Sequence, residues 1–338
     1  MTKSNRLLYL LLFVLIALAV ILNIAAGSSY ISLGDVVKTL LGGDKTSTNF
    51  NIIWQLRIPE VIMAILVGMA LSLSGLLMQT FFRNPLAGPS VLGLSSGAGL
   101  GVALAMMTGV FANLTGSLGA TAIQVLASAL GTGVVLVLII SIAKVVKDNT
   151  SLLLIGLMVG YFASAVVGSL EIFAERISLQ KFVFWGMGSF SSVTWDQLFF
   201  IAIAISLLLF LSFFISKPLD AYLLGEEYAT SMGMDVKKWR MIIILLAGLL
   251  TGIVTAFAGP VAFLGLAVPH MARMIFKSAK HSVLIPGSLL LGAGTALLCL
   301  LISKLPGLPF RLPINSVTSL IGAPMVIYLV FKQRKMRL

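Results

Sequence analysis

From Asn84 to Ala143 the chain runs sixty residues without an Asp, Glu, Lys or Arg. At 1.5 Å per residue, roughly 20 residues cross a bilayer core, so this run alone holds two spans. Its opening, Asn84-Pro85-Leu86-Ala87-Gly88-Pro89-Ser90, and the closely following Gly93, Gly97, Gly99 and Gly101 interrupt the apolar pattern. Lipid offers irregular backbone no hydrogen-bond partners, so such a knot has to rest against protein or a water-filled path.

The apolar pattern recurs along the chain. Segments of helical length fall at about 7–26, 61–82, 90–108, 117–143, 150–170, 190–215, 241–258, 261–276, 283–302 and 314–331. They predict an all-α, polytopic membrane protein of ten transmembrane helices, a single transmembrane domain over 1–338. The weakest boundary is Gly259-Pro260, inside a long uncharged stretch from Met241 to Ala272. Proline removes a backbone donor and turns the preceding residue away from helix, so a helix–break–helix is expected there.

Two connecting segments are longer than the rest. In the first, Gly27 to Gln55, Ser32 is placed to cap a short helix running into Lys38. In the second, about 217–240, Leu219, Tyr222 and Leu223 share one helical face, and Tyr228 and Met232 share another beyond Gly225. Two short amphipathic helices joined at a glycine suit either a docking surface or a solvated connector whose acids balance nearby lysines.

Composition agrees with a membrane protein: 59% hydrophobic and 10% charged residues, with a mean hydropathy of +1.09. The net charge of +12 changes the picture only through its placement. The basic residues lie in short clusters between apolar runs rather than on one folded face, which argues against nucleic acid. With both termini inside, sixteen Lys and Arg fall on inner segments and seven on outer ones, the asymmetry that sets orientation. The run from Leu7 to Ala26, after Lys3 and Arg6, is long for a signal peptide, and Gly27-Ser28-Ser29 makes a poor cleavage site, so it reads as a retained first span. The single cysteine, Cys299, excludes an internal disulfide or a multi-cysteine metal site.

The chemistry that is missing narrows function further. There is no G-x-x-x-x-G-K-[ST] phosphate loop. The two histidines, His270 and His281, stand beside predicted inner loops without carboxylates at metal-ligand spacing, so they read as packing or helix-end residues. No acid or base falls near the middle of a span, which argues against a proton- or sodium-driven carrier. No nucleophile–base pair suggests an enzyme. Active transport by this chain therefore needs a separate ATPase. In the fifth span Gly156, Gly160, Ser164 and Gly168 recur every four residues, a stripe that suits close helix packing or a translocation path.

The chain resembles the permease subunits of ATP-binding-cassette importers for iron-siderophores, haem and cobalamin, the FecCD-type permeases. The blocks that carry the resemblance, in the family's order, are Leu56-Arg57-Ile58-Pro59, Leu73-Ser74-Gly75-Leu76-Leu77-Met78-Gln79, Arg83-Asn84-Pro85-Leu86-Ala87-Gly88-Pro89 with Leu92-Gly93-Leu94-Ser95-Ser96-Gly97, Phe184-Trp185-Gly186-Met187-Gly188-Ser189, Leu224-Gly225-Glu226-Glu227, Ala258-Gly259-Pro260 through Val268-Pro269-His270, and Leu312-Pro313-Ile314.

The resemblance implies a bacterial cytoplasmic-membrane subunit, with both termini cytoplasmic, that pairs with a second permease copy as a homodimer. It works with two ATPase subunits and an extracytoplasmic substrate-binding protein, and moves its cargo by alternating access. ATP and Mg²⁺ then belong to the ATPase, and this chain holds no cofactor or metal. The family's coupling helices match Leu223, Gly225, Glu226, Glu227, Met232 and Gly233. Its cytoplasmic constriction falls at Asn84, Leu86, Asn149 and Thr150, with the Gly156–Gly168 stripe on the path. Arg57, Lys304 and Arg311 stand where basic residues hold the binding protein, although Glu60 replaces a common second arginine and Arg311 stands where an acid is frequent. The cargo expected is a bulky metal chelate, a ferric siderophore first, with haem or cobalamin as alternatives. A secondary carrier is the rival of another class.

Overall fold

A computed structural model describes residues 3–27, 31–42, 46–108, 120–146, 148–304 and 311–335. Among them there are helices and no strands. Lys45, Lys147, Ser28, Ser29 and the start of the fourth expected span lie outside the described residues.

The spans fall where the apolar pattern puts them. Seven helices are long and apolar enough to cross a membrane, and three shorter apolar ones complete the set of ten. In chain order the spans are α1 (Lys3–Ala25), α4 (Ile58–Phe81), α5 (Leu94–Met107), α6 (Ala120–Val145), α7 (Asn149–Phe173), α9 (Trp195–Phe214), α12 (Val236–Ala258), α13 (Leu264–Phe276), α14 (His281–Ser303) and α15 (Ile314–Lys335). Between them lie α2 (Leu33–Leu40), α3 (Thr48–Asn51), α8 (Arg176–Gly186), α10 (Ser216–Leu224) and α11 (Glu226–Ser231). The Ser32 cap forms as expected, its side chain accepting from the Asp35 N–H. Helix α8 was not foreseen, because an 11-residue segment beginning Arg176-Ile177-Ser178 has neither the length nor the apolarity of a span.

One helix organises the bundle. In α4, 83% of the most apolar stretch is buried within the chain, against 17% for α1, 22% for α7 and 28% for α9. Glycine permits this crowding. A methyl group added at Gly75 would overlap the Gly265 carbonyl, and one added at Gly68 would overlap that of Gly292, so α4 crosses α13 and α14 backbone to backbone. Serines add polar ties from α4 to its neighbours: Ser72 Oγ donates to the Ser288 carbonyl of α14 at 2.9 Å, and Ser74 Oγ lies 2.8 Å from Thr251 Oγ1 of α12. The peripheral helices instead leave Leu7, Phe13, Tyr161, Phe162 and Phe200 uncovered, as lipid-facing or subunit-facing surfaces require.

The break at Gly259-Pro260 is present. Helix α12 ends at Ala258, Gly259 adopts φ 73°, and α13 begins at Leu264. The backbone groups it frees find partners: the Ser189 N–H donates to the Ala258 carbonyl at 2.8 Å, and the Ala262 N–H to Asn315 Oδ1 at 3.1 Å. Non-helical backbone at this depth is thus held by protein.

Candidate functional site

At one end of the bundle, α10 and α11 form the expected pair. They meet at Gly225, whose φ of 121° is open to glycine and closed to other residues. The inner faces anchor the pair: Leu219 and Tyr222 are fully buried, and the Tyr222 ring stacks on Phe81 at 5.8 Å. Leu224, Tyr228 and Met232 remain more than half exposed, which is the pattern of a surface awaiting a partner.

The two acids at this junction part company. Glu226 turns inward, where its Oε1 accepts from Tyr222 Oη and from Asn149 Nδ2, the latter at 3.2 Å. Burial, then the bond to Glu226 and its charge, push the Tyr222 phenol well above its usual range, so Tyr222 stays a donor. Among the described residues no partner is found for the Glu227 carboxylate. Glu226 thus has one carboxylate oxygen engaged within the chain, and Glu227 is the more exposed of the two acids. Met232 caps α11, and Gly233 follows it with φ 82°.

The expected constriction residues gather around the end of α4. There the Asn84 N–H donates to the Gln79 carbonyl at 3.2 Å and the Arg83 N–H to that of Thr80, with Arg83 at φ 46°. This six-to-one and five-to-two pattern is a Schellman stop. Asn84 Oδ1 then accepts from the Leu86 N–H at 2.9 Å, turning the chain at Pro85 and leaving Leu86 about half exposed. Asn149 Nδ2 reaches the Phe81 carbonyl at 3.1 Å, so α7 starts against the end of α4. Arg83, Asp148, Asn149, Thr150, Gly225, Glu226 and Glu227 line one polar cleft of about 600 Å³.

The glycine stripe of α7 divides in two. A methyl on Gly156 would stand 2.7 Å from the Val91 carbonyl oxygen, and one on Gly160 would stand 3.4 Å from Ser96 Oγ, so both pack against the knot that follows Pro89. Ser164 and Gly168 are exposed on the single chain, and Gly168 has nothing within 4 Å of an added methyl. Of the two uses expected for the stripe, close packing within this chain is met at Gly156 and Gly160 and not at Ser164 and Gly168.

At the opposite end, two of the three expected docking cations are corrected. Arg57 is 3% exposed, with Nη1 donating to the Ile24 and Ala25 carbonyls at 2.5 and 2.8 Å. It caps α1, answering carbonyls that a helix end leaves unpaired. Lys304 is 5% exposed and pairs with Glu60 at 2.7 Å. Arg311 keeps a half-exposed side chain while pairing with the other Glu60 oxygen at 2.6 Å. Glu60, where relatives commonly have a second arginine, compensates the buried Lys304 and also pairs with the half-exposed Arg311. Beside this cluster a cavity of about 870 Å³ is walled by Phe184, Trp185 and Phe257 together with Glu60, Lys181 and Arg311.

His281 is buried at the first position of α14, in keeping with a helix-end packing residue, and it has a carboxylate partner from outside its own segment. Its Nδ1 lies 2.7 Å from Oδ1 of the partly exposed Asp220, and its Nε2 lies 2.8 Å from the buried Thr80. Asp220 is on α10 and gives no local spacing with His281, so only packing pairs them. No metal-ligating cluster occurs among the described residues.

A bundle of ten apolar helices around a buried α4, with a glycine-jointed helix pair at one end, defines a membrane permease of the ATP-binding-cassette importer type. The model of the FecCD transport family matches residues 14–332, and the chain belongs to that family. It is 35% identical over 333 residues to the vitamin B12 import system permease protein BtuC of Shigella boydii, covering 98% of this chain and 97% of the relative. To BtuC of Escherichia coli it is 34% identical, with the same coverage. Its fold matches a solved structure described as an inward-facing conformation of a metal-chelate type ABC transporter, with a TM-score of 0.85 and 28% identity over 97% of this chain and 99% of that one. A looser fold match, TM-score 0.55 at 18% identity over 87% of this chain and 95% of that one, is to PsaBC from Streptococcus pneumoniae in complex with Fab.

Proposed function

We infer that this chain is the membrane subunit of an importer for a metal chelate, with cobalamin favoured over the ferric siderophore first expected. The observation that carries the reading is the near-complete match, 35% over 98% of the chain, to permeases of vitamin B12 import systems. A second copy forms the pore with it, the α10–α11 surface faces the cytoplasm and receives an ATPase, and a substrate-binding protein docks at the end holding Arg311. ATP and Mg²⁺ belong to the ATPase subunits. Uptake runs by alternating access, as closure of the ATPase pair moves the α10–α11 loops and tilts the spans.

The test is reconstitution in proteoliposomes with its ATPase and binding protein, followed by uptake of labelled cyanocobalamin, haem and a ferric siderophore. ATP-dependent accumulation of cyanocobalamin alone supports the favoured cargo. Preference for the ferric siderophore returns the first expectation, and uptake driven by an ion gradient without ATP overturns the class.

A further inference from the structure

We propose that Glu226 is a positioning residue that ties the α10–α11 pair to the start of α7, so that movement of the pair is delivered to Asn149. The proposal rests on the reading of this loop as the ATPase-facing surface. It assigns Glu226 a role distinct from contact with the ATPase.

Three elements converge on one carboxylate oxygen. Glu226 opens α11, and its Oε1 accepts from Tyr222 Oη on α10. The same oxygen accepts from Asn149 Nδ2, on the first residue of α7, at 3.2 Å. Asn149 Nδ2 also donates to the carbonyl of Phe81, the last residue of α4, at 3.1 Å. Asp148 fixes the entry to α7 from the other side, its Oδ2 accepting from the Ser151 N–H at 2.7 Å.

Neighbouring packing fits a stiff joint rather than a loose surface loop. Tyr222 is fully buried and stacks on Phe81, and the Arg240 guanidinium lies 5.6 Å over the opposite partner ring of that stack, Phe81. The Arg83 guanidinium stands 6.0 Å from the Tyr222 ring. A cation over an aromatic face is held electrostatically, so both rings are flanked by charge as well as packed. With Tyr222 locked, Glu226 has little freedom to swing outward, and displacement of α11 pulls on the Asn149 amide. Hydrogen bonds to a charged acceptor are among the stronger ones a protein makes, which suits a link that carries force.

The charge on Glu226 strengthens the link, which can still form without it. The link needs an acceptor oxygen at this place, which a glutamine supplies and an alanine does not. The experiment uses the reconstituted complex in a Cys299→Ala background, with a spin label at Leu154→Cys, an exposed position in the second turn of α7, to report motion at that end of the helix. Complex formation is read by ATPase copurification, coupling by the label's response to ATP, and function by uptake.

Glu226→Ala is expected to copurify with the ATPase, lose the ATP response of the label, and lower uptake about tenfold to a hundredfold, the loss expected when a hydrogen bond to a charged group is removed. Glu226→Gln is expected to restore both the response and most of the uptake. Release of the ATPase by Glu226→Ala would show a direct docking acid and overturn the proposal, as would native uptake in that variant or a failure of glutamine to improve on alanine. Asn149→Ala removes the other end of the link, so if Glu226→Ala does not fold, native uptake in Asn149→Ala overturns the proposal and uncoupled uptake supports it. A native complex that binds no ATPase defeats the importer reading instead, and is recognised before any variant is measured.

Discussion

Lys304 Nζ sits 2.7 Å from Glu60 Oε2, and both side chains are almost wholly removed from solvent. The pair joins the end of α14 to the first turn of α4, and Arg311 closes on the second Glu60 oxygen. Removing one member of a buried pair typically costs about 3–5 kcal/mol, since the remaining charge is left without compensation. Glu60→Ala is therefore expected to lower thermal stability in detergent sharply, with Glu60→Leu combined with Lys304→Met recovering most of it. Equal melting of Glu60→Ala and the native protein would show that the cluster does not hold this end together.

Arg311 is the one of the three cations placed to meet a binding protein. Exposed ion pairs are worth about 0.2–1 kcal/mol, so Arg311→Ala is expected to change binding-protein affinity only slightly. Arg311→Glu should weaken it more, and most at low salt, where screening is least. Affinity that stays the same at low salt removes Arg311 from the docking surface. Arg57→Ala, by contrast, should act on stability through the exposed carbonyls of α1.

Leu224, Tyr228 and Met232 form the uncovered side of α10 and α11. Interface energy concentrates in a few large residues, with losses of about 2 kcal/mol or more on truncation. Tyr228→Ala with Met232→Ser is expected to abolish ATPase copurification while the permease still inserts and melts normally. Glu227→Lys should weaken the same association in a salt-dependent manner, and retention of the ATPase at native yield in both variants would place docking elsewhere.

The two halves of the α7 stripe make opposite predictions. An added side chain at Gly156 meets the backbone at Val91 and Leu92, which cannot retreat like a flexible side chain. Overpacking of this kind costs about 1–3 kcal/mol, so Gly156→Leu should reduce expression and melting temperature. A methyl added at Gly168 meets nothing within 4 Å, so Gly168→Leu should leave the melting of the chain unchanged. If Gly156→Leu melts like the native protein, α7 does not rest on the knot after Pro89.

The sequence by itself determined the spans, because a run of about 20 apolar residues has no other stable setting than a membrane and the distance across a bilayer fixes its length. It also determined the break at Gly259-Pro260, the Ser32 cap and the Gly225 joint, each set by the backbone limits of one or two residues. Tertiary structure alone decided which charges face water. Arg57, Lys304 and Glu226 look like surface residues by type, yet each is held by a group distant in the chain: Arg57 by the Ile24 carbonyl 33 positions away, Glu226 by Asn149 77 positions away, and Lys304 by Glu60. Nothing local marks such pairs. The same holds for Asp220 and His281, 61 residues apart, and for the choice of α4 as the central helix, which follows from two separate glycine crossings, Gly75 on Gly265 and Gly68 on Gly292. Apolarity and backbone preference are written residue by residue, whereas the burial of a charge depends on which distant group arrives to compensate it.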